Sequence, residues 1–593
     1  GGDLTVTGAL TANGTIKLDG NHPTATGNVA LGDTALDSLT TGTNNTAIGD
    51  KAGTAISTGV QNTAVGYQAG DAISTGNYNA LLGANAGGAL TTGAQNVAIG
   101  QGALQTATTG DLNTACGDSA LSNNTTASNN TAVGASALAA NTTNNNNTAV
   151  GSQALTANTT GGENTAVGTD ALKANTTANF ITAVGYAALT ANTTGSQNVA
   201  VGNNALVTNT TAADNTAIGH FALKLNTTGN NNTAVGSQAF EANTTGSVNT
   251  AVGSQAAQAN TTGSDNAVLG YQAFYTNTTG GANTAMGRGA LFANTTASNN
   301  TAMGYLALAA NTTGTNNAAL GKSSLPANTT GSQNTALGTA ALENATTADD
   351  NTAVGFAALN VTTTGVSNTA VGRDALGANT TASANTAVGK GAGASVTTGA
   401  NNVLIGVEAG YHDVATTTGA QVTIVGNYAN MDAAGSSNSN VFGYNATGTT
   451  GTTTLGVNTS LIRATHGNTT WSTVSDERVK KDITDATAGL SFINDLRPVT
   501  FKYKQEGNLP KEFIGYKEGS TKTFKNEFIN HGFIAQEVKE AIDNHPELKN
   551  GFSMWTELDT GEQEVGEAAV IPVLVKAIQE LSTKVDELEN KLN

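Results

Sequence analysis

Apolar and polar residues along most of this chain follow a beat of 17. Gly32, Gly49, Gly66, Gly83, Gly100 and Gly117 begin a series that keeps this spacing to Gly406, through 23 positions without insertion. From one such Gly the consensus runs G-x-x-A-L-x-A-N-T-T-G-x-x-N-T-A-V. The residue before each Gly is apolar, as at Leu31, Ile48, Val65, Val133, Met286, Leu337 and Ile405. Four before it stands Asn, from Asn28, Asn45 and Asn62 onward, with Ile181 as the exception. Three after it stands Ala, except at Ser324.

So short a period leaves no room for two helices, and the N-T-A-V tetrads favour strand. The ends rich in Gly and Asn favour tight turns with positive φ. Each repeat is therefore expected to form one coil of a parallel β-solenoid, two short strands joined by turns. Stacked coils bring identical residues to about 4.8 Å, so the 23 coils make a rod of roughly 110 Å. The slot before Gly becomes a continuous apolar spine in this reading, with Cys116 in it as a buried hydrophobe rather than a reactive thiol. The Asn slot becomes a ladder of side-chain amides, and Ala fills the places where coil walls approach. A solenoid is stabilised by neighbour contacts and can lengthen indefinitely, which suits a fibre.

Composition adds exclusions. Only 11% of residues are charged and 5% aromatic, against a usual charged fraction of about 25%. Weak hydrophobicity without high charge density is not the signature of disorder. The net charge of −18 argues against nucleic acid as a partner. One Cys excludes a disulfide framework and Cys-based zinc sites. Neither metal nor cofactor is expected, and no apolar run is long enough for membrane insertion. The chain starts at Gly1-Gly2 without Met or signal peptide, so a longer natural N-terminus is expected.

Asn147-Thr148-Ala149-Val150-Gly151 and its equivalents resemble the N-S-V-A-I-G motif of trimeric autotransporter adhesin heads, which fold as a left-handed β-roll. The match covers about 28–406, and the family's coil is somewhat shorter. The resemblance implies a homotrimer, three thin coils side by side completing one core. Segments 4–10 and 15–18 read as strands of a connecting segment, 1–27. Tyr67, Tyr186, His220, Tyr271, Tyr305 and Phe356 each follow a framework Gly, in a variable slot read as packing or surface rather than as a metal or sugar site. The Asn-Thr-Thr triplets match the glycosylation sequon but recur because the turn wants Asn and Thr. An ice-binding face would need two outward Thr columns two residues apart, whereas adjacent Thr142 and Thr143 read as pointing to opposite faces.

After Gly406 the register fails, with Gly426, Gly443 and Gly456 at spacings of 20, 17 and 13. Residues 407–474 form an irregular β tip that reads both as the cap a solenoid requires and as a receptor-binding surface. Tyr411, His412, Tyr428, Tyr444 and Trp471 are the candidate contacts.

From Ser475 onward charge is ordinary: the last 119 residues hold 37 of the 66 charged ones. A small α+β domain, 475–593, is expected. It ends in a helix whose Leu574, Ile578, Leu581, Val585, Leu588 and Leu592 alternate spacings of four and three, a coiled-coil seam. The blocks Ser475-Asp476-Glu477-Arg478-Val479-Lys480, Pro498-Val499-Thr500-Phe501 and His531-Gly532-Phe533-Ile534-Ala535-Gln536-Glu537 resemble the C-terminal intramolecular chaperone of endosialidases and phage tail fibres. That resemblance implies a domain that gathers three chains, seeds folding of the fibre and then cuts itself off. It assigns self-cleavage between Val474 and Ser475 to a Ser475–Lys480 dyad. Ser475 is the nucleophile and Lys480, if held neutral by burial, the base. Asp476 and Arg478 are expected to support them. Gly532, Phe533, Ala535, Gln536 and Glu537 belong to the same chaperone motif.

The function expected from these parts is an extracellular trimeric tail fibre that binds a host glycan or protein. A bacterial surface adhesin is the alternative, and a glycan-depolymerising tail spike is less favoured. Such a spike needs a carboxylate pair, for which 407–474 offers only Glu408, Asp413 and Asp432. No enzyme for external substrates is expected beyond the single-turnover self-cleavage.

Overall fold

A computed structural model describes residue 7 and residues 25–411, 416–468, 471–473 and 475–592. Within it the chain separates into two units, Gly1–Val474 and Ser475–Asn593. The strands expected at 4–10 and 15–18 lie outside the described residues, apart from Thr7.

The first unit is a parallel β-solenoid. Twenty-three strands of three residues, β1 (Val29–Leu31) to β23 (Val403–Ile405), recur every 17 residues and pair in register, each with the next. The coil that starts at Gly151 illustrates the rest. Ala154, Leu155, Asn158, Asn164 and Ala166 are all fully buried in the lumen. Gln153, Leu155 and Glu163 have φ of 58°, 52° and 59°, left-handed values at non-glycine residues. The same slots repeat this along the stack, as at Leu138, Leu172 and Leu189. Each such residue is disfavoured by roughly 1–2 kcal/mol, which the amides offset by bonding to both neighbours. Gln153 N–H donates back to Ala135 O at 2.9 Å, and Leu155 N–H donates forward to Ala171 O at 3.0 Å.

This geometry corrects two expectations. Each coil has one strand, because left-handed residues at alternate positions keep the second wall from being extended. The slot before Gly is also not an interior spine. The strand's middle residue, Ala166 here, points inward, while Val167 on its outer side is 36% exposed. The lumen is too thin for anything larger opposite Leu155. Cys116, in the outer slot, is accordingly half-buried rather than enclosed. The Asn ladder is present: Asn45 N–H and Nδ2 donate to Asn28 Oδ1 at 2.9 and 3.2 Å, and the pattern recurs along the stack. A second ladder, through the Asn of the Asn-Thr-Thr triplets, joins thirteen buried amides from Asn124 to Asn328. Burial at this slot explains why the triplets recur without a role in glycosylation.

The framework Gly itself is fixed by close approach. Gly151 has φ 135°, and a Cβ there would lie 2.5 Å from the carbonyl oxygen of Gly168 in the next coil.

Past Gly406 the stack continues through β24 (Val422–Val425), β26 (Ser439–Phe442) and β28 (Thr452–Val457), all parallel. The short strands β25 (Asn430–Met431) and β27 (Thr447–Gly448) pair beside them. The last strand, β29 (Ser460–Thr465), returns antiparallel to β28 and ends the sheet. A reversed hairpin leaves no edge in register for a further coil, which is how exposed edges are blunted.

The second unit is small. Two antiparallel pairs, β30 (Val499–Phe501) with β31 (Asn530–Gly532) and β32 (Trp555–Glu557) with β33 (Gln563–Val565), accompany α1 (Leu490–Asp495), α2 (Ala535–Asn544) and α3 (Ile571–Leu592). Phe492, Val538, Ile542, Met554 and Val573 form its core. Glu580 of α3 accepts the Leu490 N–H at 2.9 Å, capping α1. No helix among the described residues is long and apolar enough to cross a membrane.

Candidate functional site

The second unit opens with a tight turn. Asp476 accepts the Arg478 N–H through Oδ1 at 2.9 Å and so caps the single 3-10 turn Glu477–Val479. Its carboxylate also takes the Arg478 Nε–H on Oδ1 at 2.9 Å and the Nη2–H on Oδ2 at 2.5 Å, a bidentate pair. These hydrogen bonds hold the Asp476 carboxyl below its usual range. Both residues flanking the turn, Asp476 and Lys480, are extended, with ψ of 134° and 147°. The chain therefore reverses within five residues, and Lys480 Nζ reaches Ser475 Oγ at 2.8 Å. A spacing of five does not by itself bring two side chains together; a capped turn between extended ends does.

In the single chain this pair is exposed, as is every residue from Ser475 to Thr487. The burial on which a neutral Lys480 depends is therefore not supplied by the single chain. The 2.8 Å contact puts Nζ within hydrogen-bonding reach of the hydroxyl, the distance a proton transfer between the two would need. Val474 lies outside the described residues.

The remaining motif residues gather around the 530–537 segment. Gly532 ends β31, where a Cβ would fall 2.9 Å from Glu567 Oε1. Phe533 packs on the domain core. Ala535, Gln536 and Glu537 form the first turn of α2. Glu537 accepts Arg497 Nε–H at 3.0 Å and pairs with the same guanidinium through its second oxygen. The hydrogen bonds hold its carboxyl below the ordinary glutamate value.

Along α3 the face carrying Val573 and Ala577 is buried. The seam of Leu574, Ile578, Leu581, Val585, Leu588 and Leu592 is exposed, from 42% at Leu574 to 87% at Leu592.

At the end of the solenoid, two of the candidate receptor contacts meet: Tyr428 and Tyr444 pack edge to face, their centroids 5.8 Å apart. Tyr411 and Trp471 are exposed at other points of the chain path, and His412 lies outside the described residues. Of the carboxylates considered for glycan cleavage, Glu408 pairs with Lys390 at 3.6 Å and Asp432 accepts the Ser436 hydroxyl at 2.8 Å. Asp413 is outside the described residues.

Two features escaped the sequence reading. Asn, Ser and Asp side chains in the slot eleven after Gly accept the backbone N–H of the preceding coil, as Asn77 does from Val60 at 2.8 Å and Ser247 from Asn230 at 3.0 Å. The variable slot after Gly carries cations between its rings, at Arg288, Lys322, Arg373 and Lys390. Aligning the repeats slot by slot, rather than reading along them, reveals both.

Comparison with curated proteins and with solved structures returns no match for this chain. Residues 475–546, which hold the turn, β30, β31 and α2, match the family described as chaperone of endosialidase.

Proposed function

We propose that three copies of this chain form an extracellular fibre, most simply a phage tail fibre, whose 407–474 end binds a receptor on a host cell. In this reading residues 475–593 gather the chains, seed the stack and then leave by cleavage between Val474 and Ser475. The observation that carries the proposal is an uncovered apolar ridge. The slot before each framework Gly points outward along the whole stack, with Ile48, Leu82, Ile99, Ile218, Leu337 and Ile405 between 37% and 50% exposed. A continuous apolar stripe of that length is far beyond what a soluble monomer leaves in water. Two further copies, each with the same ridge, would cover it around a shared axis. The exposed seam of α3 asks for the same: its last three turns are exposed on every side, and so short a helix is marginal alone. The chaperone family match supplies the assembly role.

For cleavage, Ser475 Oγ attacks the Val474 carbonyl carbon and passes its proton to a neutral Lys480. The C–N bond to the Ser475 amine breaks as that nitrogen takes the proton back, leaving an ester between Val474 and the Ser475 hydroxyl. Water hydrolyses the ester to a Val474 carboxylate and a free Ser475. Desolvation favours a neutral amine over an ammonium, so burial of the exposed pair between assembled chains would couple cutting to assembly. Asp476 and Arg478 keep the turn that presents both groups.

Light scattering of the purified protein should give three times the mass of one processed chain, 1–474. The processed trimer, applied to a glycan array and to whole cells, should bind through its 407–474 end. A monomer by mass, or a trimer that binds no cell surface, would defeat the proposal. Depolymerisation of a surface polysaccharide would replace the binding role with a catalytic one.

A further inference from the structure

The slot directly after the framework Gly is exposed in eight successive coils, from Tyr271 to Lys390. Between residues 28 and 406 there are seven cationic residues, and four of them, Arg288, Lys322, Arg373 and Lys390, fall in this one slot. Of the other three, Lys173 and Lys224 are paired, with Asp170 at 3.1 Å and Glu241 at 3.5 Å, and within the slot Arg373 and Lys390 pair with Asp374 at 2.8 Å and Glu408 at 3.6 Å. Arg288 and Lys322 have no carboxylate partner among the described residues. Aromatic rings alternate with the cations from Tyr271 to Lys322, and after Thr339 a third ring, Phe356, precedes Arg373 and Lys390. The Arg288 guanidinium lies 5.9 Å from the centroids of both Tyr271 and Tyr305, one coil before and one coil after it. A flat cation held between two rings is fixed in place while its outer edge stays open to solvent.

We propose that this column is a track for an extended acidic polysaccharide. In-register pairing sets the slots about 4.8 Å apart, so the eight span about 34 Å on a straight line. That step is comparable with the advance per sugar of an extended glycan. The rings offer flat apolar faces to sugar rings, and the guanidinium and ammonium groups offer donors to carboxylates, Arg288 in bidentate fashion. The first part of the same slot carries the opposite charge, Asp33, Asp50 and Asp118, so an acidic chain would be confined to the later coils. Single-stranded nucleic acid fits less well, because phosphate binding draws its affinity from many cations and this chain carries −18 overall. The inference goes beyond the receptor-binding end proposed above and does not depend on it.

The test uses the assembled protein and three acidic polysaccharides, hyaluronan, alginate and polygalacturonate, each beside its carboxyl-reduced form. At least one acidic polymer should bind, and its reduced form should not. Raising the salt concentration should weaken binding, since exposed charges are screened. The pair Arg288→Ala with Lys322→Ala should weaken it about tenfold or more, and Tyr271→Ala with Tyr305→Ala by a similar factor. All four side chains face solvent, so the variants should assemble as the parent does, which light scattering checks. Binding of none of the three polymers, equal binding of a reduced form, or unchanged affinity in both variants would overturn the proposal. So would an oligodeoxynucleotide that binds as tightly and is weakened by the same substitutions. Tyr444→Ala should leave this binding intact; if it abolishes it, the polymer sits at the 407–474 end, which removes the track and leaves the receptor-binding reading standing.

Discussion

At the scale of single residues, the lumen of the coil is a fixed volume shared between few side chains. Beyond the first coil, where Leu36 and Leu39 are both present, the slots four and seven after the framework Gly exchange bulk. Gly53 stands with Ile56, Gly70 with Ile73, Gly87 with Leu90 and Gly393 with Val396, whereas Leu104 stands with Ala107. A Cβ on Gly53 would lie 2.8 Å from the Ile56 Cδ1. Its φ of 57° adds the roughly 1–2 kcal/mol that a left-handed Leu costs, a conformation Leu36 and Leu104 do adopt in the same slot at 57° and 55°. Gly53→Leu alone should therefore cost about 1–3 kcal/mol more by overpacking, and Ile56→Ala added to it should recover most of that loss, recreating the Leu104–Ala107 pair. Thermal midpoints at one scan rate would read both; equal loss in single and double variants would refute the exchange. The Asn ladder is tested in the same way. Asn232→Ala would deprive the buried Asn249 N–H and Nδ2 of their shared acceptor, each at 3.1 Å, and the Gly246 carbonyl of one of its two donors at 2.9 Å. That should cost about 1–3 kcal/mol. Ile181 already interrupts the ladder, and Ile181→Asn should stabilise by about 1 kcal/mol, as the Asn198 N–H regains an acceptor.

At the scale of the element, the period, the Asn ladder and the wall of Ala were legible because each is a residue type fixed at one slot. The direction of the strand was not. In T-A-V, period two allows either parity, and ordinary sheets turn the larger residues inward. Here the residue most often repeated in the tetrad is the small one, since a lumen already filled by Leu and Asn takes Ala; Leu81 and Leu404 enter it only beside Gly70, Gly87 and Gly393. Ala166 at 0% exposure beside Val167 at 36% records that choice. The single strand per coil was equally hidden, because no propensity predicts Leu155 at φ 52°. In the tail, the residues of the Ser475–Lys480 turn could be named from a resemblance, but their contact arises from the Asp476 cap and their exposure depends on neighbours the sequence does not display. Another element-level device went unread. His545, nearly buried beside Phe492, lies 2.9 Å from Asp495 and 3.0 Å from Glu547. Burial alone would push its pKa down; the hydrogen bonds to the two carboxylates outweigh this and hold it above the ordinary value. A raised folded-state pKa stabilises fully below the unfolded value of about 6.5 and loses its contribution as pH climbs through the folded one. Glu547, held low by its own backbone N–H and by the imidazole, acts oppositely and loses its contribution only as pH falls below the usual glutamate range. Denaturant unfolding of the tail, followed by Trp555 fluorescence in a Trp471→Phe background, should show lower stability near pH 9 than near pH 6. His545→Gln should flatten that slope, and a slope that survives the substitution would assign it elsewhere.

At the scale of the whole molecule, the low average charge comes from joining two chemistries. The first 474 residues carry 29 of the 66 charged side chains, the difference left by the 37 in the tail. A coil this thin leaves much of each repeat at the surface, where neutral Thr, Asn, Gln and Ser stand in place of charge, and its lumen is closed to large groups. Its stability comes from repetition, each coil resting on the next, and such stacks gain nothing until neighbours are in register. The outward ridge makes the same point sideways, since every coil presents one apolar side chain that its own chain does not cover. Ile218, 40% exposed, is one of these. Ile218→Lys should leave the coil itself intact, because the lumen is untouched, yet it would place three ammonium groups together on a trimer axis without counter-charge. Burying unpaired charge is among the costliest changes a surface can suffer, so the variant should fail to trimerise and appear as monomer or aggregate by light scattering. Thr211→Lys, on an exposed slot of the same coil away from the strand, is the matched control and should assemble normally. Deleting 475–593 before folding should also give aggregate, but for a kinetic reason: the ridge is present and the partners are not yet aligned. The two failures separate on refolding. A fibre already assembled and cleaved should keep its mass after the tail has gone, whereas Ile218→Lys should not reach that mass with the tail present. If Ile218→Lys gives the parent trimer with an unchanged thermal midpoint, the ridge faces solvent in the fibre and the chains meet elsewhere.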